Sequence, residues 1–147
     1  MSGANETARG TKHGAPALLG LRATDAVSLA TLIDGGLRYG AIDRFRKASA
    51  LPLTAVAGMI RVNDRTLARR KVEGRLQPDE SDRLFRAARV FARALDLFEG
   101  DRDAARSWLM EPQRALGGCV PLELAATDVG TREVENLIGR LEHGVPT

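Results

Sequence analysis

Cysteine and histidine are nearly missing from this 147-residue chain, which has one Cys, at 119, and two His, at 13 and 143. A lone Cys119 cannot close an internal disulfide, and with only His13 and His143 beside it no zinc ligand set can be assembled. Long apolar runs are missing as well: no stretch approaches the roughly 20 residues that a membrane helix needs. The early "APALLGL" run (15–21) lacks the basic lead and small-residue cleavage pattern of a secretory signal. We therefore expect a cytoplasmic chain without a membrane partner. Catalytic signatures are equally scarce. "GGLRYG" (35–40) lacks the Gly-Lys-Ser/Thr ending of a phosphate loop, no Gly-x-Ser-x-Gly elbow occurs, and neither His has a nucleophile beside it in sequence. The expectation is no enzyme, no cofactor and no metal.

What is present is an uneven charge. The formal net charge is only +3. Between Arg38 and Arg75, however, ten Lys and Arg face three Asp and Glu, a balance of +7. From Leu76 to the end, nine Arg face thirteen acids, a balance of −4. A basic block beside an acidic one suggests two modules with different partners, and only the basic one suits a polyanion.

No stretch alternates with period two, and several repeat at helical spacing, so the fold class is all-α. Residues 1–22, rich in Gly, Ala, Ser and Thr without a sustained period, read as a disordered tail. Thr24 is placed to cap a helix carrying Val27, Leu29, Ala30, Leu32 and Ile33, stopped by Gly35 and Gly36. A second helix, about 41–50, puts Ile42, Phe45 and Ala48 on one face. Pro52 suits the start of a short helix through Ile60. A long helix from about Pro78 to Phe98 repeats Leu84, Ala88, Phe91, Leu95 and Phe98; its Arg86, Arg89 and Arg93 read as a solvated stripe. Asp101 caps "RDAARSWLM", in which Trp108 reads as core, and Pro112 follows it. Gly130 breaks the chain before a last helix with Val134, Leu137, Ile138 and Leu141 inward. The expected division is a tail (1–22), a helix-turn-helix region (23–98) and a small helical C-terminal domain (99–147).

The cations concentrate where that reading places the helix-turn-helix. "PLTAVAGMIRVNDRTLARR" (52–70) gives a short helix, a turn near Arg61 and Val62, and a second helix capped by Asn63. Ala57 is small where two steeply crossing helices touch. Val62 and Leu67 form a hydrophobic staple around the cap, and Asp64 complements the helix dipole. With Val62 and Leu67 inward, Arg65, Thr66 and Arg69 project outward, as a recognition helix requires in the major groove. Arginine reads guanine with two hydrogen bonds, and the carboxylate of Asp64 suits a cytosine amino group. Arg61, Arg70, Lys71 and Arg75 are placed as phosphate contacts, which position the protein without reading sequence. In one respect the turn departs from common practice: it has Arg61 where such turns often have Gly.

From "VNDRTLARRKVEG" through "LQPDESDRLFRAARVFARALDLF", the chain resembles the Xre/MbcA/ParS antitoxins. Residues 105–145, "ARSWLMEPQRALGGCVPLELAATDVGTREVENLIGRLEHGV", extend the resemblance. They carry that family's Trp-Leu pair, Pro, "ALGG", "PLEL", a Gly before the last helix and a terminal Gly-Val. Single pieces such as "PLEL" are weak; their order and spacing together are specific, and they run from about Gly36 to Val145. The resemblance implies an Xre-like helix-turn-helix followed by a toxin-binding domain. It also implies operator DNA and a RES-type toxin acting on NAD as partners, with the toxin's active site occluded, and a homo-oligomer or a hetero-oligomer with the toxin. On that footing Arg132, Glu135, Asn136, Arg140 and Glu142, left exposed on the last helix, and the terminal His143, Gly144 and Val145 are the expected toxin contacts. The alternative is a helix-turn-helix regulator whose C-terminal domain only dimerises or senses a ligand.

Overall fold

A computed structural model describes residues 14–144. The described residues form α1 (Ala15–Leu18), α2 (Ala26–Asp34), α3 (Gly40–Ser49), α4 (Leu53–Ile60) and α5 (Asp64–Glu73). They continue with α6 (Pro78–Leu97), α7 (Arg102–Met110), a 3₁₀ turn (Arg114–Leu116), α8 (Pro121–Leu124) and α9 (Asp128–Glu142). The only extended pairing among them is two isolated bridges, Arg38 with Arg75 and Gln113 with Cys119. The fold is all-α, with the helix-turn-helix preceding a C-terminal helical domain.

The long helix α6 is the common wall of the molecule. Its apolar positions recur around most of its circumference, so Leu84, Ala88, Val90, Phe91 and Ala94 are all fully buried. It receives α1, α2, α3 and α4 from the N-terminal half and α7 and α9 from the C-terminal half. Phe91 meets Phe45 of α3 edge to face, with ring centroids 5.9 Å apart, a favoured aromatic geometry. Trp108 is half-buried at the edge of this core, tilted against Phe98 at 6.4 Å. Phe98 itself lies just past the helix as its C-cap. Because both halves of the chain bury against α6, the expected division at 98/99 separates two regions that share one core.

Three local expectations change. Residues 14–22 are no tail: α1 forms there, and Leu18 and Leu19 are 7% and 2% exposed, tied in by packing on α3 and α6. Residues 1–13 lie outside the described residues. The cap of α2 is Asp25, whose carboxylate accepts from the Ser28 N–H at 2.9 Å, and Thr24 lies outside it. Asp25's pKa falls below the usual carboxylate value because that backbone donor favours its charged form. Gly130 does not break the chain but sits in the first turn of α9, donating its N–H to the capping Thr127 hydroxyl at 3.0 Å. A Cβ on Gly130 would collide with the Leu124 carbonyl. Glycine is therefore required by the close approach of α8, not by a turn.

Candidate nucleic-acid interface and C-terminal groove

The chain passes from α4 to α5 through Arg61, whose φ of 60° and ψ of 48° are left-handed. That conformation costs a residue with a Cβ about 1–2 kcal/mol, which is why glycine is common there. Asn63 then caps α5, its Oδ1 accepting from the Thr66 N–H at 2.8 Å. Leu67 and Arg70 face inward. Helical spacing from those two places Arg65, Ala68, Arg69 and Val72 along the outer face, and all four are exposed. Asp64 and Lys71, also exposed, flank that stripe. Thr66 is half-buried, and its backbone serves the cap. The expected readers Arg65 and Arg69 thus stand together, with Thr66 at their margin.

Arg70 is a correction. Its Nε reaches Glu80 Oε1 at 2.8 Å and its Nη2 reaches Glu80 Oε2 at 3.0 Å. The two side chains are only 10% and 6% exposed. Nη1 lies 3.6 Å from Glu73, and Glu80 Oε1 also accepts from the Gln77 N–H at 2.9 Å. The hydrogen bond to Glu80 holds the Arg70 guanidinium further above its ordinary pKa. A fork-to-fork pair of this kind is geometrically specific. It fastens the recognition helix to the first turn of α6 and keeps Arg70 from reaching a phosphate. Sequence contained a signal for Glu80: "QPDE" has the spacing of a capping box. Arg75 is partly committed too, donating from Nη1 to the Gly36 carbonyl at 2.7 Å.

Ion pairing divides the cations. In the acidic half, Arg83 pairs with Asp79 at 3.3 Å, Arg86 with Asp82 at 2.8 Å and Arg106 with Asp103 at 3.4 Å. Two more pairs cross from α6 to α9: Arg89 to Glu135 at 2.7 Å and Arg93 to Glu142 at 3.3 Å. The stripe expected to be merely solvated is therefore neutralised by acids. In the basic half, Arg38, Arg44, Arg61, Arg65 and Lys71 make no ion pair among the described residues, and Arg69 has only a loose one, 3.8 Å from Glu73. Such unpaired cations are the ones free to replace the counterions of a phosphate backbone.

At the other end, α9 packs on α6 and buries Val134, Leu137 and Ile138. Asn136, Gly139, Arg140 and His143 line one groove with Arg93 and Glu135. Glu135, expected to be exposed, is 16% exposed and held by Arg89. Glu142 is held by Arg93. Arg132 pairs with Asp128 at 3.1 Å and stays outside the groove. Gly144 is exposed, and Val145 lies outside the described residues.

Both regions have known counterparts. Residues 28–89 match the Antitoxin Xre-like helix-turn-helix domain, and residues 93–144 match the Antitoxin Xre/MbcA/ParS C-terminal toxin-binding domain. An Antitoxin Xre of Yersinia enterocolitica is 38% identical over 128 residues, 86% of each chain. The chain belongs to the Xre antitoxins. An Antitoxin Xre of Photorhabdus laumondii is 33% identical over 128 residues, 86% of each chain. Another, from Pseudomonas putida, is 38% identical over 69 residues, 47% of this chain and 43% of that protein. In this Xre antitoxin the α4–α5 unit falls inside the first match and the α9 groove inside the second. The junction between the matches falls within α6. No helix among the described residues is long and apolar enough to cross a membrane.

Proposed function

We propose that this Xre antitoxin neutralises a RES-type toxin by occluding its NAD-using site, and represses its own operon by binding operator DNA through α5. The observation that carries the first half is the clustering of Asn136, Arg140 and His143 along one groove at the end of α9. Arg140 carries charge and all three groups can form hydrogen bonds, and the groove presents them together at the end of α9. The blocking element in this reading is the end of α9 with residues 143–147, which excludes substrate by occupancy and needs no chemistry of its own. The second half is supported by the unpaired cations around the exposed Arg65 and Arg69.

Co-expression with the RES-type toxin tests the first half. Full-length antitoxin is expected to co-purify with the toxin and restore growth, while a variant lacking residues 143–147 keeps its fold and DNA binding but no longer protects. Protection by the deletion variant would move the contact to the helix face around Arg132, Glu135 and Asn136. Failure of the full-length pair to associate would remove this toxin class as the partner. The mass of the purified complex gives its stoichiometry.

A further inference from the structure

A second concentration of arginine lies beyond the recognition helix. The backbone leaves α5 at Gly74, whose carbonyl accepts from the Tyr39 N–H at 2.9 Å, and the Leu76 N–H donates to the Leu37 carbonyl at 2.8 Å. These bonds set Arg38 directly opposite Arg75 across an antiparallel bridge. Like charges facing each other across such a bridge repel. No acid relieves them: Arg22, Arg38, Arg44 and Arg75 line one groove of about 710 Å³ between α1, α2 and α3, and no Asp or Glu lines it. Arg22, Arg38 and Arg44 are exposed and make no ion pair among the described residues. Arg75 is aimed by its hydrogen bond to the Gly36 carbonyl, and the stem of Arg44 lies against Gly20, where a Cβ would come within 3.1 Å of its Cγ. Along α6 the arginines Arg83, Arg86, Arg89 and Arg93 each meet a carboxylate; in this groove four converge without an Asp or Glu lining it. That arrangement is electrostatically unfavourable alone and becomes favourable when an anion enters it.

We infer that this groove is a second phosphate-binding surface, which holds the backbone of the same duplex whose bases α5 faces. The inference rests on α5 being the DNA-reading helix, because Arg75 directly follows Gly74, the C-cap of α5, and the bridge brings Arg38 to that end of the helix. Contacts to phosphate set register and affinity and carry no base information. The groove therefore lengthens the footprint beyond the base pairs that α5 touches and leaves sequence preference to α5.

The test is operator binding across a salt series with full-length protein and labelled duplexes from upstream of its gene, long and trimmed. Arg38→Gln and Arg44→Gln keep much of each stem and remove the charge; Arg38→Lys keeps the charge. Each Gln variant is expected to bind the long duplex about five-fold more weakly at physiological salt. The logarithmic salt slope should become shallower by about one per arginine removed. Base preference should not change, and the effect should vanish on the trimmed duplex. Arg38→Lys should retain the wild-type slope. Melting temperature should not fall in Arg38→Gln, since a repelled charge has been removed. If wild type binds the duplexes and the Gln variants match it in affinity and slope, the groove assignment fails alone. If wild type binds no DNA, the reading of α5 fails with it. Inorganic phosphate or a free nucleotide raising the melting temperature through these arginines, with no change in the DNA slope, would overturn the duplex assignment in favour of a small-anion site.

Discussion

Replacing Arg70 separates a structural role from a nucleic-acid role within a single residue. In Arg70→Ala the Glu80 carboxylate, 6% exposed in the native pair, loses both guanidinium bonds, of 2.8 and 3.0 Å. It keeps only the Gln77 N–H at 2.9 Å. Removing one member of a buried pair costs about 3–5 kcal/mol, because the remaining charge is left without compensation. Taking about 3 kcal/mol, and about 2–4 °C per kcal/mol for a chain of this size, the melting temperature should drop by roughly 6–12 °C. Urea unfolding followed by circular dichroism measures the same loss. The double variant Arg70→Met with Glu80→Leu removes both charges and should recover most of the stability, since an apolar pair of similar volume replaces a buried ion pair with little loss. Operator binding well below the melting temperature should keep the wild-type salt slope, because Arg70 neutralises no phosphate. An Arg70→Ala protein with unchanged stability and a slope shallower by about one would refute the clamp and return Arg70 to the DNA face.

Arg65→Ala and Arg69→Ala should each weaken operator binding by about 1–3 kcal/mol and relax base preference, measured by competition among mutated operators. Toxin neutralisation should survive both. Arg61→Gly should raise the unfolding free energy by about 1 kcal/mol by relieving the left-handed conformation, even as it removes one cation near the DNA. Gly130→Ala should destabilise the C-terminal half, seen as lost protection of α9 amides in hydrogen exchange, because the added Cβ has the Leu124 carbonyl in its place. A fragment beginning at Pro78 should fail to unfold cooperatively, since it uncovers Phe91 from Phe45 and leaves the face of α6 that packs on α1, α2 and α4 bare. A sharp two-state transition from that fragment would show that the halves are independent after all.

Sequence by itself determined the elements and the chemistry that depends on neighbours along the chain. Apolar spacing gave the helices after α1 nearly their true bounds and missed α1 itself, Asn63 and Asp101 announced their caps, and the basic block between Arg38 and Arg75 pointed to the DNA-binding half. The order of motifs from "VNDRTLARR" to "LEHGV" carried the family. Tertiary structure decided which charges are available. Arg70 and Lys71 are adjacent cations on one helix, indistinguishable by composition; a rotation of about 100° per residue turns one onto Glu80 and leaves the other in solvent. Glu135 and Glu142 look like free surface acids until α9 lies on α6 and brings them to Arg89 and Arg93. Arg38 and Arg75 are 37 positions apart in the chain and become neighbours only through a bridge closed by Gly74 and Leu76. In each case the partner is distant in sequence, and the pairing energy depends on burial and separation, which no local pattern encodes.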